Sequence, residues 1–546
     1  MKKIRPVYAA CLFLAAALLL SPWSGNFPLN DDWIYALPVK NLLAGGGLQL
    51  FDTLKTQLLQ TAWGAAWAWP LGFSFGALRL STLAAGTAAV WLFGRLLLRA
   101  GAEPEAAFLG AVCLAFNPLF FTLSLTFMTE VPYLLAALLA VYLFSGRGAG
   151  RDRSLWPASL CAMGATLIRP TGLLLPAAFS LRLFSEGKPG WRRLAELWLP
   201  AISALAGWLL WMWAGDSPLM AGASAGIGAE TAAMWSRPAN LLAQVFVRAS
   251  AGAFLYGLFL LPFSAALVSR PGFFRELLAD RRAAAAAGAG AALCLLNQAI
   301  SGPFPVPGFG NYLYKTGLGY VTIYGYTAKA CGPLGLHYFW PAATFLSALS
   351  AGVLAAGFYR LRGLNGPARD CAAAFGLQFL FLLVAPRFFD RYFVYLLPLG
   401  AAAAALAAQP VSRRAPALLA ASFLAVFSWA GTGDYLAWNA AKWELSLAAA
   451  HYGVPPEKVA GGADYDAWYN YETNTARLRA SRGGGSVGEW EWLDLGSKKA
   501  MVGFSVPPSR KKAIMARAVY PTPLAPFSGG TLYMFALPPS ADGAMR

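Results

Sequence analysis

Charge is scarce in this chain. Of its 546 residues 12% are Asp, Glu, Lys or Arg and 58% are apolar, about half the charge of a soluble globular protein, so most of the chain is not water-soluble. Histidine is scarcer still: His337 and His451 are too few and too separated to suggest a His-based metal centre. The six cysteines, Cys11, Cys113, Cys161, Cys294, Cys331 and Cys371, show no CxxC or CxH spacing. Five of them sit in apolar runs, which argues against a zinc site and against a disulfide framework. No repeat of fixed period runs through the chain, so a repeat-built transporter finds no support. With histidine and cysteine set aside, any acid–base chemistry falls to carboxylates.

Apolar sequence of helical length is what the chain has in plenty. A bilayer core about 30 Å thick needs about 20 apolar helical residues. About thirteen runs meet that need fully or nearly so, at 7–23, 76–98, 106–125, 131–145, 155–168, 171–185, 195–214, 246–268, 283–300, 338–358, 371–385, 392–408 and 415–431. Asn117-Pro118 and Arg169-Pro170 interrupt the pattern; backbone groups freed there must find protein partners instead of lipid, which marks both breaks as candidate site linings. The run 7–23 reads as an uncleaved first span rather than a signal peptide, because 18–23 offers no A-x-A site.

The net charge of +18 would suggest nucleic acid in a polar protein. Here it sorts by side. With the N-terminus inside, the loops carrying Arg95 and Arg99, Arg192 and Arg193, and Arg281 and Arg282 all fall in the cytoplasm, and cytoplasmic loops hold 21 of the 43 basic residues against ten in the outer loops and twelve after residue 431, as the positive-inside rule requires. The excess is topology, and no nucleic-acid partner is implied. An odd number of spans then leaves the C-terminal region outside. The fold class expected is a polytopic α-helical membrane protein, with a transmembrane domain over residues 1–431 and a small extracytoplasmic α+β domain over residues 432–546. Two outer loops stand out: 24–75, amphipathic at Ile34, Leu37, Val39, Leu42 and Leu43 and expected at the membrane interface, and 301–337, rich in Gly, Pro and Tyr. The tail predicts a helix over 434–451, a turn at Val454-Pro455-Pro456, and strands near 490–495, 500–506 and 531–537.

Four motifs could carry chemistry. Asn30-Asp31-Asp32-Trp33 places adjacent carboxylates at the membrane surface, where each raises the other's pKa unless a cation intervenes. They suit a general base or a metal ligand, and equally a helix N-cap. Glu130, in Met128-Thr129-Glu130-Val131-Pro132, is a lone carboxylate in apolar sequence on the same outer side and demands a partner; a helix start is the plainer reading. Arg387 and Arg391, in Arg387-Phe388-Phe389-Asp390-Arg391-Tyr392, suit a lipid-linked phosphate, which guanidinium binds bidentately, or an Asp390–Arg391 pair. Arg169 and Lys315 add to the outer positive lining. In the tail, Trp468, Tyr469 and Tyr471, with Asp464, Asp466 and Asn470, suit stacking on a sugar ring or the core of a small domain.

Asn-Asp-Asp-Trp after the first span, Met-Thr-Glu-Val-Pro before the fourth, Arg169-Pro170-Thr171-Gly172, and Asp390-Arg391-Tyr392 with a following Leu-Pro together resemble the GT-C superfamily of membrane glycosyltransferases. The nearest branch is that of bacterial protein O-mannosyltransferases and lipid A aminoarabinose transferases, and the resemblance covers about 1–430. It implies a GT-C-like fold in the bacterial inner membrane and an inverting transfer of sugar from a polyprenyl-phosphate donor to a glycan, lipid or protein acceptor on the outer face. It maps the first-loop acidic pair onto Asp31 and Asp32, with Asp31 as base, and the second-loop acid onto Glu130, where the family often has the shorter Asp. It allows a divalent cation between Asp31, Asp32 and Glu130, as in some relatives, which three carboxylates without histidine do not identify. A lipid-linked-sugar flippase or a non-enzymatic envelope-assembly subunit are the competing readings. A flippase is expected to carry charge deep in several spans, whereas charge here lies in loops and at span ends.

Overall fold

The structure, a computed structural model, describes residues 5–50, 56–145, 154–187, 189–214, 228–302, 310–314, 317–325, 339–361, 363–483, 487, 490–521 and 530–538. Helices dominate. After α1 (Val7–Leu18), the first outer loop holds two helices, α2 (Asp32–Leu43) and α3 (Leu58–Leu71). Helix α4 (Phe75–Arg99) starts where the Ser74 side chain accepts from Ala77 N. The expected break at Asn117-Pro118 divides α5 (Pro104–Ala115) from α6 (Pro118–Leu123), with Asn117 Oδ1 accepting from Leu119 N and Phe120 N, both at 3.0 Å. The Phe116 carbonyl freed by that break accepts from Ser428 Oγ at 2.8 Å, a protein partner in place of lipid.

Next come α7 (Glu130–Ser145) and α8 (Trp156–Ile168), then a 3-10 turn over Pro170–Leu173 leading into α9 (Leu174–Glu186). The second expected break behaves like the first: the carbonyls of Thr166 and Ile168 at the end of α8 accept from Thr56 Oγ1 and from Gln57 N. Gly172 has no room for a side chain, since a Cβ there would lie 2.3 Å from Thr166 N. Helix α10 (Trp191–Ala214) starts earlier than expected. The run expected at 246–268 is two helices, α11 (Pro238–Phe259) and α12 (Leu261–Val268). Pro238 at the first helical position sets the earlier start, and Pro262, which has no N–H to donate, sits just after the break at Leu260.

The helical series continues with α13 (Phe273–Ala279), α14 (Arg281–Ser301), α15 (Trp340–Tyr359), α16 (Gly366–Val384), α17 (Leu397–Ala408) and α18 (Arg414–Leu447). Among the described residues seven helices, α4, α10, α11, α14, α15, α16 and α18, are long and apolar enough to cross a membrane, and α1, α5, α7, α8 and α17 are shorter apolar helices. Two of the short ones, α5 and α7, lie inside: most of each is buried against neighbours, so protein surrounds them, whereas α1 keeps Tyr8 and Leu12 exposed. Peripheral α14 packs on α15 backbone to backbone. A Cβ on Gly352 would meet Ala287 O at 2.8 Å and one on Gly290 would meet Ala351 O at 2.9 Å, the close approach that small residues permit in lipid.

The expected boundary at 431/432 falls inside the 34-residue helix α18, which passes from the apolar region into the C-terminal region without a break. Beyond it lie α19 (Ala463–Ser481) and a four-stranded sheet. The hairpin β1 (Leu313–Tyr314) and β2 (Gly317–Leu318) belongs to the 301–337 loop; β3 (Val459–Ala460), β4 (Ala500–Gly503), β5 (Ile514–Val519) and β6 (Thr531–Ala536) order as β3-β4-β6-β5, with β3 and β4 parallel. The strand expected near 490–495 is a turn, with Leu493 N donating to Trp490 O at 3.1 Å. Trp492 there is buried against Trp33 and Tyr471, so the segment's apolar residues pack on rings instead of joining a ladder.

Buried ion pairs fasten the C-terminal region to the loops. Lys442 Nζ donates to both Asp464 carboxylate oxygens at 2.6 Å and to Thr322 Oγ1 at 2.9 Å, with Lys442 and Asp464 side chains wholly buried; Lys498 pairs with Asp466 beside it. Removing one partner strands a buried charge. Lys442→Met is expected to destabilise the protein by about 3–5 kcal/mol, while Lys442→Met with Asp464→Leu recovers most of the loss; thermal unfolding of purified protein in detergent checks both.

Candidate active site

Four connections between helices converge on one buried guanidinium. Arg391 stands in the 3-10 turn Asp390–Tyr395 that leads into α17. The turn is held by Asp390, wholly buried, whose carboxylate accepts from Tyr312 N at 3.0 Å, Leu313 N at 2.5 Å and Arg391 N at 2.6 Å. Burial pushes the Asp390 carboxyl up to about 6, and these backbone donors oppose the rise. The pairing read for Asp390 and Arg391 is therefore through the backbone. It leaves the guanidinium to other partners.

Those partners come from the first and second outer connections. Arg391 Nη1 donates to Asp31 Oδ2 at 2.9 Å, and its Nε lies 3.4 Å from Glu130 Oε1. Arg169 Nη1, from the break after α8, donates to the same Glu130 oxygen at 3.3 Å. The order is thus Asp31, Arg391, Glu130, Arg169. Exposure runs along it: the Glu130 side chain is 0% exposed and Arg169 and Arg391 are 6%, but Asp31 is 38%. Rings floor the row, Arg169 lying 4.9 Å from the Tyr392 ring centre and Arg391 5.1 Å from that of Phe389. Burial pulls the Arg391 pKa down, yet Asp31 and Glu130 together leave it above its ordinary value, so the group stays charged.

Asp31 and Asp32 diverge. Asn30 has φ +54°, which turns the chain just before α2. Asp31 takes the N-cap position but makes no capping hydrogen bond with its side chain, and Asp32 turns inward, accepting from Phe127 N at 3.0 Å and Leu29 N at 3.4 Å. Desolvation raises the Asp32 carboxyl to about 7, against the pull of Arg79. Arg79 itself is buried and donates to the carbonyls of Pro22, Ser24, Gly25 and Phe27, fastening the entry to the first outer loop. The motif reading missed it, although a lone arginine near the end of an apolar run was its signal.

The other expected residues lie elsewhere. Arg387 forms a two-bond pair with Glu230, at 3.0 Å for each bond. Lys315 lies outside the described residues. Trp468 packs on Phe75 at 5.1 Å with Lys40 over its ring at 4.9 Å; Tyr471 packs on Trp33 at 4.8 Å, and Tyr469 on Tyr465 at 4.8 Å. Trp468 and Tyr471 form the seam between α19 and the first outer loop, and Tyr469 packs within α19 and on Trp443. Asp464 and Asp466 hold Lys442 and Lys498.

The three carboxylates expected to share a cation do not fit one in this arrangement. Arg391 stands between Asp31 and Glu130, and both Asp32 oxygens face backbone N–H groups; among the described residues no cluster of three His, Cys, Asp or Glu could hold a metal ion.

No protein-family model and no curated protein matches the chain. Among solved structures it is similar to ArnT from Cupriavidus metallidurans in the apo state, with a TM-score of 0.39 and 14% identity over 98% of this chain and 99% of that one. It is also similar to ArnT from the same organism bound to undecaprenyl phosphate, with a TM-score of 0.37 and 13% identity over 97% and 98%. At such identity and TM-score the likeness carries no functional argument.

Asp32 imposes a pH dependence whose sign is set. Its folded pKa of about 7 lies above the ordinary 3.8, so its contribution to stability is complete below the ordinary value and is lost as pH rises through about 7. Wild-type unfolding temperature in detergent is expected to fall between about pH 4 and pH 7 and to level off above that, and Asp32→Asn to flatten that fall.

Proposed function

We propose that this chain is a membrane glycosyltransferase that moves a sugar from a polyprenyl-phosphate donor to an acceptor hydroxyl on the outer face of the cytoplasmic membrane, with inversion. The observation that carries the reading is the half-exposed Asp31 bound to a buried, doubly held Arg391. Inverting transfer needs two things at one place: a base for the acceptor proton and a fixed cation for the phosphate that leaves. Arg391 and Asp31 are such a pair. The sequence resemblance assigns Asp31 the same role.

A guanidinium has five N–H donors in a planar fork. Glu130, itself paired with Arg169, holds one side of Arg391, so a donor phosphate reaching the other side competes with Asp31 for it. As the phosphate takes the guanidinium, the Asp31 carboxylate is released toward an acceptor hydroxyl. The acceptor oxygen then bonds the anomeric carbon, its proton passes to Asp31, and the bond from that carbon to the phosphate oxygen breaks. Polyprenyl phosphate leaves with the electron pair, its charge met by Arg391. Glu130 and Arg169 are positioning residues. The apolar helices accommodate the prenyl chain, and the acceptor is a glycan, lipid or protein hydroxyl. The N-terminus lies in the cytoplasm and the region after α18 outside, as the basic loops indicate.

The test is sugar transfer in vesicles that hold the full-length protein and a panel of polyprenyl-phosphate hexoses and pentoses. Asp31→Asn is expected to lower kcat about 10²–10⁴-fold and, because it removes the carboxylate that competes with the donor phosphate for Arg391, to lower donor KM as well. Arg391→Lys loses the planar fork and is expected to lower kcat and raise donor KM together. Full activity in Asp31→Asn sinks the reading; translocation of donor without consumption would establish a flippase.

A further inference from the structure

Arg391 opens one end of α17, and a second cavity lies at the other. About 18 Å along this helix, the C-terminal ends of α12, α15 and α17 meet around a cavity of about 460 Å³. Arg270, Glu276, Arg360, Gln409 and Ser412 supply its polar lining, with Leu267 and Phe273 among its apolar residues. It shares no residue with the Arg391 row.

The two arginines are held differently. Arg270 Nη1 donates to Ala407 O at 3.1 Å, which fixes its guanidinium at the end of α17. Arg360 Nη1 donates to Glu276 Oε2 at 3.1 Å, but the Glu276 side chain is 65% exposed. An ion pair so exposed contributes little and is readily exchanged. Helix C-termini attract guanidinium groups by themselves, which accounts for arginines at three such ends. It does not account for the open, half-apolar volume between them. The loops that frame it carry Arg270, Arg275, Arg281, Arg282, Arg360 and Arg413 against two acids, Glu276 and Asp280. Asp280 is engaged in capping α14, accepting from Arg282 N at 3.0 Å and Ala283 N at 3.1 Å.

The geometry points to a binding site for the headgroup phosphate of an anionic phospholipid, on the side that the basic loops assign to the cytoplasm. Arg270 and Arg360 take the phosphate oxygens, the Ser412 hydroxyl a glycerol oxygen, and the apolar residues the first methylenes of the acyl chains, while Gln409 is engaged by Glu103 N and Gly101 O. Phosphate binding draws Arg360 from Glu276. The apolar lining, and the place of the cavity at the ends of membrane-sized helices, where leaflet headgroups lie, favour a lipid over a soluble phosphate. This site is independent of the transferase reading and stands or falls apart from it.

The experiment uses full-length protein in mixed micelles titrated with phosphatidylglycerol or phosphatidylcholine, read by native mass spectrometry for retained lipid and by unfolding temperature. Phosphatidylglycerol is expected to be retained and to raise the unfolding temperature, and phosphatidylcholine to do neither. Arg360→Gln is expected to weaken retention about fivefold, Glu276→Gln to strengthen it, and Arg275→Gln, an equal charge change on an exposed residue outside the cavity, to leave it unchanged. If Arg360→Gln and Glu276→Gln weaken retention alike, the pair is structural and the proposal is overturned. It is overturned as well if Arg275→Gln matches Arg360→Gln, or if inorganic phosphate stabilises the protein as much as the lipid does.

Discussion

A guanidinium buried beside the membrane must be compensated where it stands, and Arg391 is compensated by two carboxylates that come from distant stretches of the chain. Asp31 precedes α2, Glu130 begins α7 and Arg391 precedes α17. Leaving any of these charges buried and alone would cost several kcal/mol, so the three connections are obliged to meet. Asp390 makes the meeting specific by tying the turn of Arg391 to the β1 hairpin segment through backbone N–H groups. The site's single half-open position, Asp31, is then a consequence of the burial of the rest.

The same rule joins the C-terminal region to the membrane domain. Lys442 on α18 reaches Asp464 on α19 and Thr322 in the outer loop, while Lys498 reaches Asp466. Around these pairs the rings of Trp33, Tyr471 and Trp492 close a small aromatic core shared by the first outer loop and α19. Polar contacts set the registry and aromatic area supplies the adhesion. A domain that looked separable by composition is therefore built onto the loop that carries Asp31.

Helix α17 relates the two ends of the molecule. Arg391 lies just before it and the Arg270–Arg360 cavity just after it. Both ends gather arginine, but for different reasons. At Arg391 two carboxylates neutralise a buried charge, and little of it is open to solvent. At the far end the arginines have one exposed carboxylate between them, which leaves capacity for an anion from outside.

Much of this was legible in the amino-acid order alone. Apolar runs of helical length, the Asn117-Pro118 and Arg169-Pro170 breaks, and the common side of Asp31, Glu130, Arg169 and Arg391 all follow from hydropathy and basic loops, because lipid tolerates few alternatives to a satisfied helix. Direction and partnership were not legible. Asp31 and Asp32 are neighbours of one type, yet the turn at Asn30 sends one toward Arg391 and the other onto backbone donors at Leu29 and Phe127. Arg387 and Arg391 looked equivalent until Glu230, more than 150 residues earlier, took the first of them. Local sequence determined which segments are helices and where they break; tertiary structure alone decided which carboxylate meets which guanidinium, because that depends on contacts between residues far apart in the chain.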